Sequence, residues 1–90
     1  AETSTDLATL AAIVSSLKGI SLAEDVVIFG EVGLSGEVRP VPSGQERIQE
    51  AFKHGFKRAI IPYGNKPRQD LSGMQITLVK KLPDLLDALF

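Results

Sequence analysis

The stretch "GEVGLSGEVRPVPSGQER", residues 30–47, decides how the chain folds. Gly33, Ser35 and Gly36 supply turn chemistry between two short segments that each read G-E-V, and Val38 and Val41 alternate with polar or proline positions. That pattern predicts a β-hairpin. Pro40 and Pro42 have no N–H to donate to a ladder, so the second arm is expected at an edge and to end quickly. Ser43 and Glu46 then stand in S-x-x-E spacing, the signature of a capping box at a helix start.

Working outward, Val26, Val27, Ile28 and Phe29 form a continuous apolar, mostly β-branched run, the pattern of a strand covered on both faces. Leu7, Leu10, Ala11, Val14 and Leu17 follow helical spacing and predict a helix over 5–18, with Ser4 or Thr5 as its cap and Gly19 as its stop. A second helix is expected over 44–54, with Ile48, Ala51 and Phe52 inward and Gly55 just past its end. "RAIIP" and "MQITLVK" read as strands, "YGNKPRQDLSG" between them as a polar loop, and "LPDLLDALF" as a short terminal helix with Pro83 in its first turn. The expected order is α-β-β-α-β-β-α, an α/β (α+β two-layer) arrangement in which the second helix links parallel strands.

The totals bound the function. Ninety residues with 43% hydrophobic content make one globular domain, 1–90. No apolar run approaches the roughly 20 residues that cross a bilayer, and no basic leader opens the chain. Zero cysteines exclude disulfides and thiolate metal sites from these residues, which fits a cytoplasmic setting. A net charge of −1 gives no overall pull toward nucleic acid, so any such contact needs a local patch. Lys53, Lys57, Arg58, Lys66 and Arg68 are the candidates, around the end of the second helix and the 62–70 loop. Solvated charges at element ends are the ordinary reading of these five and a DNA-facing patch the sharper one. Glu24, Asp25, Glu31, Glu46, Glu50, Asp84 and Asp87 are a reason to expect DNA binding to be weak.

One polar pair stands out on the helical wheel. Gln45 lies three residues before Ile48 and seven before Phe52, beside the inward stripe, and Ser4 has the same relation to Leu7 and Ala11. Both are explained as first-turn capping residues; the alternative is a nucleophile and its partner on two helix starts. His54, a lone histidine at a helix end, reads as a surface residue that favours the helix dipole. The glycines of 30–38 do not open a helix directly after a strand, which argues against a phosphate-binding loop.

Over nearly all 90 residues, with "FGEVGLSGEVRPVPSGQERI" at fixed spacing, the sequence resembles the carboxy-terminal domain of the RadA (Sms) family of bacterial DNA-repair proteins. That domain is in turn similar to the proteolytic domain of Lon. The resemblance implies a Lon-protease-like fold that begins inside the family's domain, with earlier strands missing and sheet edge left uncovered. It matches Ser4 to the nucleophilic serine of Lon-type proteases and Gln45 to their general-base lysine; Glu2, Thr3, Thr5 and Asp6 replace the small residues around that serine. A serine hydroxyl needs a neighbouring base to become a nucleophile, and a glutamine amide accepts no proton near neutral pH. Neither Lys18, Lys53 nor His54 is placed to substitute. The expectation is a non-proteolytic Lon-like domain acting as oligomerisation platform and auxiliary DNA contact. A Lon-type serine peptidase using Ser4 and a peptide- or protein-binding adaptor are the alternatives. The family also implies a hexameric ring, and ATP, Mg and Zn sites in domains that these residues do not contain.

Overall fold

A computed structural model describes residues 4–68 and 73–90, with Ser4 described by its backbone alone. The elements are β1 (Ser4–Asp6), α1 (Leu7–Lys18), β2 (Val26–Ile28), β3 (Glu31–Gly33), β4 (Val38–Arg39), α2 (Gly44–Lys53), β5 (Arg58–Pro62), a 3-10 turn (Tyr63–Asn65), β6 (Gln75–Val79) and α3 (Leu82–Leu89). They build two three-stranded sheets, one antiparallel in the order β1-β3-β4 and one parallel in the order β2-β5-β6. The mixed α/β class is as expected. The order differs: a strand precedes α1, and the expected first hairpin arm is split between the two sheets.

Gly30 is where it splits. Its φ is +142°, and a Cβ there would stand 2.9 Å from Pro62 Cγ and 3.2 Å from Leu7 Cδ2, so only glycine lets the backbone pass so close. Before it, Phe29 N–H donates to Ile60 O at 3.3 Å in the parallel sheet; at Gly30 the carbonyl accepts from Leu7 N–H at 2.9 Å, and the chain enters the antiparallel one. The hairpin itself forms as read. Its second arm is two residues long and ends before Pro40, and β4 meets the β6–α3 junction through Val38 N–H on Lys80 O at 2.8 Å.

The central strand β5 separates two apolar clusters. Ile60 faces Leu7 and Ala11 of α1, Val79 of β6 and Leu85 of α3; Ala59 and Ile61 face Ile48 and Ala51 of α2 with Phe29 and Met74. Successive residues of a strand point to opposite faces, so helices cover the parallel sheet on both sides, one layer more than the two expected. Val26 and Ile28 join the first cluster and Val27 the second, as the uninterrupted apolar run implied.

Two apolar positions expected inside lie outside. Leu17 is 81% exposed, because the inward row of α1 is Leu7, Ala11 and Ser15, and the Ser15 hydroxyl donates to the Ile20 carbonyl. Phe52 is also exposed, leaving Ile48 and Ala51 as the buried row of α2. In α3, Leu85 is the buried member of its leucine face. Among the described residues no helix is long and apolar enough to cross a membrane.

Candidate functional site

The start of α2 is held by a side chain from far along the chain. Ser43 occupies the cap position with a left-handed φ of 61° and makes no side-chain capping bond. This corrects the expected Ser43–Glu46 box: a left-handed cap residue does not aim its hydroxyl at the third helical N–H, as the extended cap conformation does. Asn65 braces this corner instead. Its Oδ1 accepts from Val41 N–H at 2.9 Å and its Nδ2 donates to Val41 O at 3.0 Å, as a neighbouring strand would. Gly44 is buried directly against that amide, and a Cβ on it would collide with Asn65 Nδ2. Gln45 follows in the first turn and is half-buried.

Ser4 lies elsewhere than expected. It is a strand residue opposite Gly33, with Thr5 opposite Val32 and Asp6 opposite Glu31. The cap of α1 is Asp6, whose carboxylate accepts from Thr9 N–H at 3.0 Å. A carboxylate at that position answers the helix dipole better than a hydroxyl, and the residues before it are left to pair with β3. β1 and β4 flank β3 and both run away from the hairpin turn, one toward α1 and the other toward α2. Ser4 therefore sits at the turn end of the small sheet, three residues short of the helix start that was expected to hold it.

The five basic candidates divide between the two ends of β5. Lys53, Lys57 and Arg58 stand near its beginning, where the N–H groups of Lys57 and Arg58 donate to Asp25 O at 2.9 and 3.2 Å. This end is mixed in charge, with Glu24 and Asp25 beside His54 around a small hollow, and His54 Nε2 is 3.1 Å from Glu50 Oε1. Lys66 and Arg68 follow the other end, roughly 13 Å away at about 3.3 Å per residue. There the structure adds a cation that the sequence reading passed over: Lys80 Nζ lies 4.5 Å from the centroid of the Tyr63 ring. The register Pro62 opposite Val79 makes Tyr63 and Lys80 the next residues on adjacent strands, a proximity that no local pattern reveals.

Two carboxylates carry perturbed acidity. The Glu37 carboxyl is held below its ordinary range by hydrogen bonding at its own backbone and by the Arg39 guanidinium, which it meets at 3.0 Å. The Asp84 carboxyl is likewise lowered by the backbone N–H groups of Lys80 and Lys81, at 3.0 and 3.1 Å. Glu37 is half-buried and Asp84 exposed, and they belong to turn and cap geometry. Among the described residues no group of three His, Asp or Glu side chains is gathered for a metal ion.

The mixed α/β architecture is consistent with the family comparison. The chain belongs to the family of Lon protease (S16) C-terminal proteolytic domains, which it matches over residues 2–90. Among individual proteins it is 64% identical over 88 residues to the DNA repair protein RadA of Haemophilus influenzae, covering 98% of this chain and 19% of that protein. It is 65% identical over 85 residues to the Escherichia coli RadA (94% and 18%) and 44% identical over 89 residues to that of Aquifex aeolicus (99% and 20%). The resemblance to the Lon-like domain of RadA is borne out, and the chain spans about a fifth of these relatives' length.

Proposed function

We propose that the chain is a non-proteolytic Lon-like domain of a cytoplasmic, RadA-type DNA-repair ATPase, serving as an assembly platform and an auxiliary DNA contact. The observation that carries this reading is Gln45, half-buried in the first turn of an otherwise intact α2. The family resemblance sets a general-base lysine at this position. An amide there can hold a hydroxyl in place but cannot take its proton. The second support is the similarity to DNA repair proteins over nearly the whole chain. A third is the apolar surface of Ile13, Leu17 and Ile20, which suits contact with a second copy. ATP and zinc chemistry belong to other parts of such a protein, since these residues hold no cysteine and no G-x-x-x-x-G-K-[ST] loop.

The test is turnover of casein or a fluorogenic peptide by the unmodified chain. No cleavage is expected, and hydrolysis abolished by Ser4→Ala would establish the peptidase reading instead. Gln45→Lys in the same assay asks whether a latent site regains activity. DNA contact is checked by salt-dependent binding before and after charge reversal at Lys57 and Arg58, and separately at Lys66 and Arg68. Peptide binding without turnover, in the absence of DNA binding, would favour an adaptor. A purely monomeric chain by light scattering at high concentration would remove the assembly role.

A further inference from the structure

We infer that Tyr63, backed by Lys80 and flanked by Lys66 and Arg68, is a stacking platform for an unpaired nucleic-acid base. The inference rests on the DNA-contact reading above and names the site and the form of nucleic acid it takes.

The site is built by the register of the parallel sheet. Pro62 and Val79 are opposite each other at the carboxyl ends of β5 and β6, and the next residue on each strand is Tyr63 and Lys80. Ligands of open α/β sheets gather at the carboxyl ends of the strands. Lys80 Nζ lies 4.5 Å from the ring centroid, within cation–π range, yet Tyr63 remains 50% exposed. Lys80 lies over the ring, and half of the residue's surface stays open to solvent.

The base of the ring is fixed. Tyr63 opens a 3-10 turn whose Gly64 packs on Pro40, leaving 3.0 Å between a Cβ there and Pro40 Cγ, and whose Asn65 is bonded to Val41. The Lys66 backbone N–H donates to the Tyr63 carbonyl at 3.1 Å, closing the turn, and Lys66 and Arg68 follow it as exposed cations. The Asp84 carboxylate near this end is engaged by the backbone N–H groups of Lys80 and Lys81. Tyr63 itself belongs to neither apolar cluster, so the fold gains little from an exposed phenol here. An aromatic face among cations is the arrangement that binds single strands without sequence preference, by stacking plus phosphate attraction. A duplex keeps its base faces stacked on one another and offers none to the ring.

The molecule supplies its own reporter, since Tyr63 is its one tyrosine and it has no tryptophan. A thymidine 20-mer and a duplex of equal length are titrated into the full chain, following tyrosine emission corrected for DNA absorbance and, separately, the anisotropy of labelled DNA. The single strand is expected to quench Tyr63. Tyr63→Ala is expected to weaken single-strand binding about tenfold without changing duplex affinity, Tyr63→Phe to retain it, and Lys80→Ala to lower the salt slope by about one. An unchanged urea midpoint establishes that each variant is folded. If both forms bind but Tyr63→Ala weakens neither, or both equally, the platform is overturned while the DNA-contact reading stands. If the chain binds neither form in low salt, the DNA-contact reading falls and the platform with it.

Discussion

The helices α1 and α2 begin in opposite ways. At α1 the device is local: Asp6 in extended conformation accepts from Thr9 N–H three residues on. At α2 the cap residue Ser43 is left-handed and its side chain bonds to nothing in the helix. Order there comes from Asn65, which pairs with both backbone groups of Val41, 24 residues before it. A local cap stabilises a helix wherever that helix is placed. A brace from the end of β5 fixes where α2 starts relative to the parallel sheet, and it is this start that carries Gln45. The difference teaches that the start of α1 is set by its own sequence, whereas the start of α2 is set by a contact across the fold.

The sharpest way to break the contrast is to remove the brace. Asn65→Ala is expected to leave the half-buried Val41 groups without their partner and to cost about 1–3 kcal/mol, read as a shift in the urea midpoint. Gly44→Ala attacks the same contact from the other side, because its Cβ must displace the Asn65 amide. Alanine gains up to about 1 kcal/mol of helix propensity over glycine, so a net loss would identify the collision as the larger effect. The two changes share one interaction, and the double variant should lose clearly less than the sum. Full additivity would mean that Asn65 is not the brace.

The local device predicts a smaller effect. Asp6→Ala should cost about 1 kcal/mol, confined to α1 and additive with Asn65→Ala, since the two caps share no partner. Ser43→Gly should run the other way, gaining up to about 1 kcal/mol as the left-handed strain at a residue with a Cβ is relieved. If Ser43→Gly destabilised the chain, the serine would have a role that its conformation does not display.

These outcomes bear on what the sequence made legible. The hairpin, β5, β6 and the three helices were readable because each rests on local chemistry: alternating valines, a run of four buried residues in β5, leucines on one helical face. What failed to read depends on partners distant in sequence. Ser4 pairs with Gly33, and nothing in "ETSTD" announces a strand so short. Ser43 satisfies the capping-box spacing, yet it is left-handed and makes no side-chain cap bond, and the tie that orders this corner comes from Asn65. Leu17 fits the apolar stripe of α1, but Ser15 takes the inward place. At the candidate site, the place of Gln45 in the first turn of α2 followed from local pattern, whereas the bonding of Asn65 to Val41 and the meeting of Lys80 with Tyr63 join residues distant in sequence.

The third helix sharpens the comparison most finely, because α3 uses a local carboxylate as α1 does. Asp84 accepts from the N–H groups of Lys80 and Lys81, which hold its carboxyl below the ordinary range. A carboxyl lowered by folding contributes stability in full above its unfolded value, about 3.9, and loses it as pH falls through the lower folded value. Between pH 5 and 2 the unmodified chain should therefore lose stability more steeply than Asp84→Asn, whose amide still accepts a hydrogen bond but does not titrate. Glu37, lowered by its own backbone and by Arg39, acts in the same window, so the variant's dependence should flatten without vanishing. Urea midpoints measured at several pH values give both slopes. Identical slopes would show that the Asp84 bonds contribute equally in charged and neutral form, and α3 would then have to owe its start to Leu82 N–H on Gly36 O, a long-range tie of the kind that holds α2.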